Sequence, residues 1–205
     1  YFINKNNGNI LKLIPTEETV VKNKFINNIS LDNESTFFLN TFGSLYSVDN
    51  NKMQINWFIN LNQNSNINPS DLFLGNKIVN TKDKIIVSTN YFTYIIDNNT
   101  GSILYKKKFS SIIKPLIINN YLFLISKNDF LISLNLNTGK IIYSYDINKK
   151  ISEFLDTKKK RAEFKNVLIL NGKIFIFLKN SYVIVLELNG NIEKIVKLPF
   201  KMNSA

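Results

Sequence analysis

Five stretches of this chain follow one plan: an apolar strand, a polar turn, a second apolar strand. They are "YFINKNNGNILKL" (1–13), "GSLYSVDNNKMQINWF" (43–58), "YIIDNNTGSILYKKKF" (94–109), "FLISLNLNTGKIIYSY" (130–145) and "SYVIVLELNGNIEKIV" (181–196). Their turns centre on Gly8, Met53, Gly101, Gly139 and Gly190, spaced about 38 to 51 residues apart, the range in which self-similarity builds stacked units. The constraint is physical. Strands that read as near-continuous apolar runs leave two faces to bury, and a neighbouring copy of the same unit buries them.

The copy around residues 84–109 is the clearest. "KIIVST" is a β-branched run suited to a buried strand, and "NYFTYIID" follows a tight turn at Asn90. Asp97 then opens "DNNTG", where its carboxylate is placed to accept turn N–H groups, Thr100 adds a hydroxyl, and Gly101 tolerates positive φ. Asn135, Thr138 and Gly139 repeat the arrangement, and Asp49 and Gly190 mark it in the second and last copies. A further strand precedes each trio. Asn119-Asn120 joins two runs in 115–126, and Asn171-Gly172, a strong hairpin signal, joins two in 166–178. Each unit is therefore four antiparallel strands. Such units in series predict an all-β fold, a β-propeller. The blade segments fall at roughly 1–24, 25–63, 70–110, 112–148 and 164–200 of a single propeller domain or part of one. That gives about four complete blades with partial blades at both ends. Little helix is expected, with one short helical turn inside 151–164.

Composition removes several chemistries. The chain has 44% hydrophobic and 13% aromatic residues, enough for a packed core. No apolar run approaches the ~20 residues of a transmembrane helix. Cysteine and histidine are both absent. Disulfides, thiolate metal sites and c-type haem attachment are excluded, as is a Ser-His-Asp triad. The formal charge is +11, which fits an acidic partner, nucleic acid or an anionic surface. The lysines, however, are scattered over turns and strand ends, and co-occur with Asn, Ile, Phe and Tyr as A/T-rich codons would produce. A phosphate-binding face concentrates its cations, so no specific nucleic acid is expected. No Gly-rich phosphate loop, calcium loop or metal cluster appears, and no catalytic, cofactor or metal residue is assigned.

The turn motifs resemble the repeat of the PQQ-like propellers, roughly Gly-x-Leu-Tyr-Ala-Leu-Asp-x-x-Thr-Gly-x-x-x-Trp. "GSLYSVDNNKMQINW" matches at Gly43, Leu45, Tyr46, Asp49 and Trp57; the next copy matches at Tyr94, Asp97, Thr100 and Gly101, with Tyr105 in the Trp place. The third keeps Thr138 and Gly139 with Asn135 for Asp, and the fourth keeps Gly190. The resemblance implies that Trp57, Tyr105 and Tyr143 or Tyr145 dock on the next blade. It also implies two kinds of role. PQQ-dependent dehydrogenases hold calcium beside the quinone, use an Asp as base, and often carry a vicinal disulfide and a stacking Trp. This chain has no Cys, and its single Trp sits at a repeat position. BamB-like members of the outer-membrane barrel-assembly machinery need a compact propeller with no cofactor and no catalytic residues. They imply a periplasmic, outer-membrane-associated, non-enzymatic scaffold whose partner is the periplasmic region of the barrel-forming subunit. Members of that type have eight blades, so both ends of this chain read as cut, with self-association as one way to close the ring. A propeller binding some other protein is the remaining alternative.

Two connections exceed what a hairpin needs: "NLNQNSNINPSD" (60–71) and "NKKISEFLDTKKKRAEF" (148–164). The second is the candidate partner surface. It carries Phe154 and Leu155 as an apolar pair, then Lys158, Lys159, Lys160 and Arg161. Arg161 is the only arginine in the chain. An Arg among so many lysines suits bidentate recognition of a carboxylate.

Overall fold

The computed structural model describes residues 1–16, 28–40, 42–62, 78–89, 91–111 and 113–199. The Asn90 turn and most of the 60–71 connection lie outside the described residues. The chain divides into two compact units, Tyr1–Lys107 and Lys108–Ala205.

The first unit opens with a hairpin of β1 (Phe2–Ile3) and β2 (Ile10–Lys12). Two four-stranded sheets follow. One holds β3 (Asn28–Leu31), β4 (Ser35–Leu39), β5 (Ser44–Asp49) and β6 (Gln54–Asn60). The other holds β7 (Val79–Asn80), β8 (Lys84–Ser88), β9 (Thr93–Asp97) and β10 (Ile103–Lys107). Phe37, Leu39 and Leu45 of one sheet pack with Ile85, Val87, Tyr94 and Ile96 of the other. Every residue of β8 is buried, which is why "KIIVS" shows no alternation.

The second unit repeats the arrangement. Its sheets are β11 (Leu116–Ile118), β12 (Tyr121–Ile125), β13 (Phe130–Asn135) and β14 (Ile141–Asp146), then β15 (Phe164–Leu170), β16 (Lys173–Leu178), β17 (Tyr182–Glu187) and β18 (Ile192–Lys197). Phe123, Ile125 and Leu131 meet Ile174, Ile176, Ile184 and Leu186 in its core.

All four sheets are antiparallel meanders, and each shifts register between its third and fourth strands. The shift has one cause. The turn residue closing the hairpin takes positive φ at Met53 (53°), Gly101 (73°), Gly139 (64°) and Gly190 (89°). A turn of that kind followed by a left-handed residue inserts a bulge and adds twist. The repeat visible in the sequence is thus a repeat of backbone geometry.

One expectation is corrected. The helical segment is not a single turn inside 151–164 but α1, Ile147–Phe154. It starts earlier because Asp146, the last residue of β14, also caps it. The Asp146 side chain accepts from Lys149 N at 3.0 Å, satisfying an otherwise unpaired first-turn donor. Ile147 is fully buried and pins the start to the core.

Candidate functional site

The 148–164 connection forms a fastened structure on the second unit. Asn148 is buried, and its Oδ1 accepts from Ala162 N at 2.9 Å, tying the far end of the loop back to α1. The Asp146 carboxylate, besides capping α1, pairs with Lys159. That hydrogen bond, with the Lys149 N–H, holds the Asp146 carboxyl below the usual range. Arg161 Nε pairs with Asp129 Oδ2 at 2.9 Å. Asp129 sits in a left-handed turn (φ 61°) between β12 and β13. Glu163 is held below its ordinary value by Lys179, 2.9 Å away.

Beside this loop lies a cleft of ≈ 280 Å³. Its apolar lining comes from three separated stretches: Ile151 and Leu155 from α1 and its end, Leu178 before a turn, and Tyr182, Ile184 and Ile195 from β17 and β18. Lys158, Lys160 and Arg161 stand at its rim. Among the described residues neither Lys158 nor Lys160 has an ion-pair partner.

The six candidate partner residues therefore separate into distinct roles. Leu155, Lys158, Lys160 and Arg161 line the cleft. Lys159 is turned to Asp146. Phe154 is 47% exposed and Leu155 46%, so the pair is presented to solvent and not sunk into the blade. Arg161 meets a carboxylate of its own chain through Nε, which leaves the rest of its fork outward; its side chain is 74% exposed. Sequence reasoning missed Asn148, Ile151, Tyr182 and Ile195. Asn148, a polar residue buried just after a strand, carried no signal in the sequence that marked it as a fastener. The other three are repeat-strand and helix positions whose convergence only the fold reveals.

The repeat residues have a consistent geometry. Asp97 Oδ1 accepts from Asn99 N, Thr100 N and the Thr100 hydroxyl at 3.0, 2.8 and 2.9 Å. Asp49 accepts likewise from Asn51 and Lys52, and Asn135 from Asn137 and Thr138. Trp57 Nε1 donates to Asn98 O at 2.9 Å, in the turn of the next sheet. Tyr143 donates to Leu188 O at 3.1 Å and Tyr145 to Gly190 O, again in the next turn. Burial pushes the Tyr143 hydroxyl up to about 12 and raises Tyr145 further in the same direction. Tyr105 is half-buried with Lys107 Nζ 5.7 Å from its ring centre. A second, open and polar cleft of ≈ 770 Å³ lies in the first unit, with Asp32, Asn56, Trp57, Asn80 and Asn98 on its walls. Among the described residues no three His, Cys, Asp or Glu side chains are grouped to hold a metal ion, and no helix is long and apolar enough to cross a membrane.

No protein-family model matches the chain, and no curated protein matches it either. Solved structures do. BamB from Moraxella catarrhalis superposes with a TM-score of 0.52 at 10% identity, over 83% of this chain and 63% of that one. Quinohemoprotein alcohol dehydrogenase from Comamonas testosteroni gives 0.63 at 8%, over 83% and 34%. The Pan2 WD40 domain of Neurospora crassa gives 0.56 at 11%, over 83% and 49%. The fold is a β-propeller. Its blades are four-stranded, as in the PQQ-like repeat proteins. The chain spans less than two thirds of the length of each of these structures. Propellers at this distance serve unrelated roles, so the likeness speaks to fold alone.

Proposed function

We propose that this chain is a non-catalytic, protein-binding propeller that acts at the outer membrane. It would serve as a BamB-like scaffold on which the periplasmic region of a barrel-forming subunit docks. The observation that carries this reading is the fastened loop of 148–164, with its exposed Phe154 and Leu155 beside a cleft rimmed by unpaired lysines. A loop tied down at Asp146 and Asn148 is ordered before any partner arrives, which lowers the entropic cost of docking. Binding would position the partner; it would do no chemistry.

The test is a titration of the propeller against the periplasmic domains of the barrel-forming subunit from the same organism, at low and physiological salt. Micromolar or tighter binding at physiological salt supports the reading. Arg161→Ala is expected to weaken it about tenfold, as loss of an interface anchor does. No binding at either salt concentration removes the assembly role. Addition of PQQ and calcium is expected to leave the absorption spectrum the simple sum of the components.

A further inference from the structure

The cleft under α1 has a chemistry more specific than its place on a scaffold requires, and the following rests on the reading of that surface as a protein-docking site. Its floor is aliphatic with one aromatic, Tyr182, and its volume of ≈ 280 Å³ sits just below the ~300–1,000 Å³ of small-molecule pockets. That suits one or two side chains. Its walls are preset by the Asn148–Ala162 and Asp146–Lys159 ties. The rim is net cationic. Asp146, Glu163 and Asp129 are engaged with Lys159, Lys179 and Arg161 Nε. Asp156, between the lining residues Leu155 and Thr157, is the one acidic side chain set against Lys158, Lys160 and Arg161 without an ion pair among the described residues. Lys158, Lys160 and the outer edge of the Arg161 fork are left facing solvent.

We propose that this cleft binds an extended acidic peptide segment of a partner protein. One large apolar side chain sits between Ile151, Leu155 and Tyr182, and flanking carboxylates meet Lys158, Lys160 and Arg161. Charge complementarity selects the carboxylates. The guanidinium edge adds bidentate geometry that a lysine does not offer. Nucleic acid fits less well, because single strands are held by successive stacking aromatics along a basic groove, and this floor offers one.

The experiment uses the intact chain and a fluorescein-labelled decapeptide with a central Phe between two pairs of Glu. Saturable binding is expected. Replacing the peptide's Phe by Ala, or its four Glu by Gln, is each expected to weaken binding about tenfold or more, because anchor and charges both contribute. Lys158→Glu with Lys160→Glu is expected to do the same. Both side chains face solvent, and a circular dichroism spectrum identical to wild type verifies the fold. Ile151→Ala is the second variant, expected to lose the Phe dependence while keeping the Glu dependence. The proposal is overturned if the Phe→Ala peptide binds as well as the parent, if no peptide binds, or if single-stranded DNA or phosphatidylglycerol vesicles compete more strongly than the peptide. The two readings fail separately. Peptide binding without binding of the periplasmic domains leaves the cleft chemistry standing and removes the assembly role. Domain binding that ignores the Lys158→Glu, Lys160→Glu variant does the reverse.

Discussion

At Gly101 a Cβ atom would stand 2.6 Å from Trp57 Cε3 and 2.7 Å from Cδ2; at Gly190 it would stand 2.9 Å from the Tyr143 ring and 3.1 Å from Tyr145. Gly8 and Gly172 also take positive φ, but nothing lies within 4 Å of a Cβ there. The four positions thus separate two demands on a turn glycine. Alanine at Gly8 or Gly172 meets only left-handed strain, about 1–2 kcal/mol. Alanine at Gly101 or Gly190 meets that strain and also pushes an aromatic ring off the turn, so each is expected to cost about 1 kcal/mol more, the usual scale of overpacking. Urea midpoints of the four variants check this: equal shifts for all four would show that the rings give way freely. The glycines were legible in "NTG" and "LNG". The ring pressed against each was legible only through the family resemblance, which has Trp57 and Tyr143 or Tyr145 docking on the next blade; no local rule brings it there, because it arrives from the preceding sheet.

The tie between neighbouring sheets is an aromatic donor on a turn carbonyl, Trp57 to Asn98 O in one unit and Tyr145 to Gly190 O in the other. Trp57→Phe keeps the stacking on Gly101 and removes the N–H, leaving a half-buried carbonyl without its donor. A loss of about 1 kcal/mol is expected, the net worth of one hydrogen bond, seen as a lower urea midpoint with unchanged slope. The turn itself tolerates chemistry better. Asn135 performs for its turn what Asp97 performs for another, with a neutral side chain accepting from the same two backbone positions. Asp97→Asn is therefore expected to fold, with a small loss of stability at pH 7 because the ionised carboxylate is the stronger acceptor of the same N–H groups, measured by thermal melting. At element level the sequence was readable where local rules decide: four strands per unit, Asn-Gly and Asx-x-x-Thr-Gly turns. It failed at α1. "YSYDINKKISEF" carries β-branched and aromatic residues into Ile147, so it reads as a strand running past the true helix start. The cap at Asp146 shows itself only through Lys149 N and the burial of Ile147. The cleft was half legible for a related reason. Its cationic rim is contiguous in sequence, while its floor at Tyr182, Ile184 and Ile195 belongs to strands that any blade would have.

Over the whole chain, the absence of histidine and cysteine fixes the shape of the stability–pH profile. No side chain of ordinary pKa changes charge between about pH 5 and 8, so the melting temperature is expected to be level there. On the acid side, Asp49, Asp83, Asp97 and Asp146 are all held below 3.8, and Glu163 and Glu193 below 4.5. The largest causes are backbone N–H groups at Asp49 and Asp97, and lysine partners at the other four. A carboxylate with a depressed folded pKa favours the folded state while ionised. Its contribution is complete above the unfolded value and is lost as pH falls through the folded one. Stability should hold to about pH 5 and decline below about 4. Protonation also raises a net charge that already stands at +11, adding self-repulsion. On the alkaline side the sign is set by tyrosine. Tyr143 is raised from 10.0 to about 12 by burial, so the unfolded chain ionises first. Stability is complete below the unfolded value and is lost as pH climbs from 10 toward 12. Tyr143→Phe should make that alkaline decline shallower without removing it, because burial raises Tyr145 and Tyr94 in the same direction, and should leave the acid limb unchanged. Added salt should soften the acid limb more than the alkaline one, because it screens the cationic repulsion and leaves the burial of a neutral phenol untouched. A melting-temperature scan from pH 3 to 11 at two salt concentrations reads all of these together. A step between pH 6 and 7 would contradict the argument, since no side chain here has an ordinary pKa in that interval.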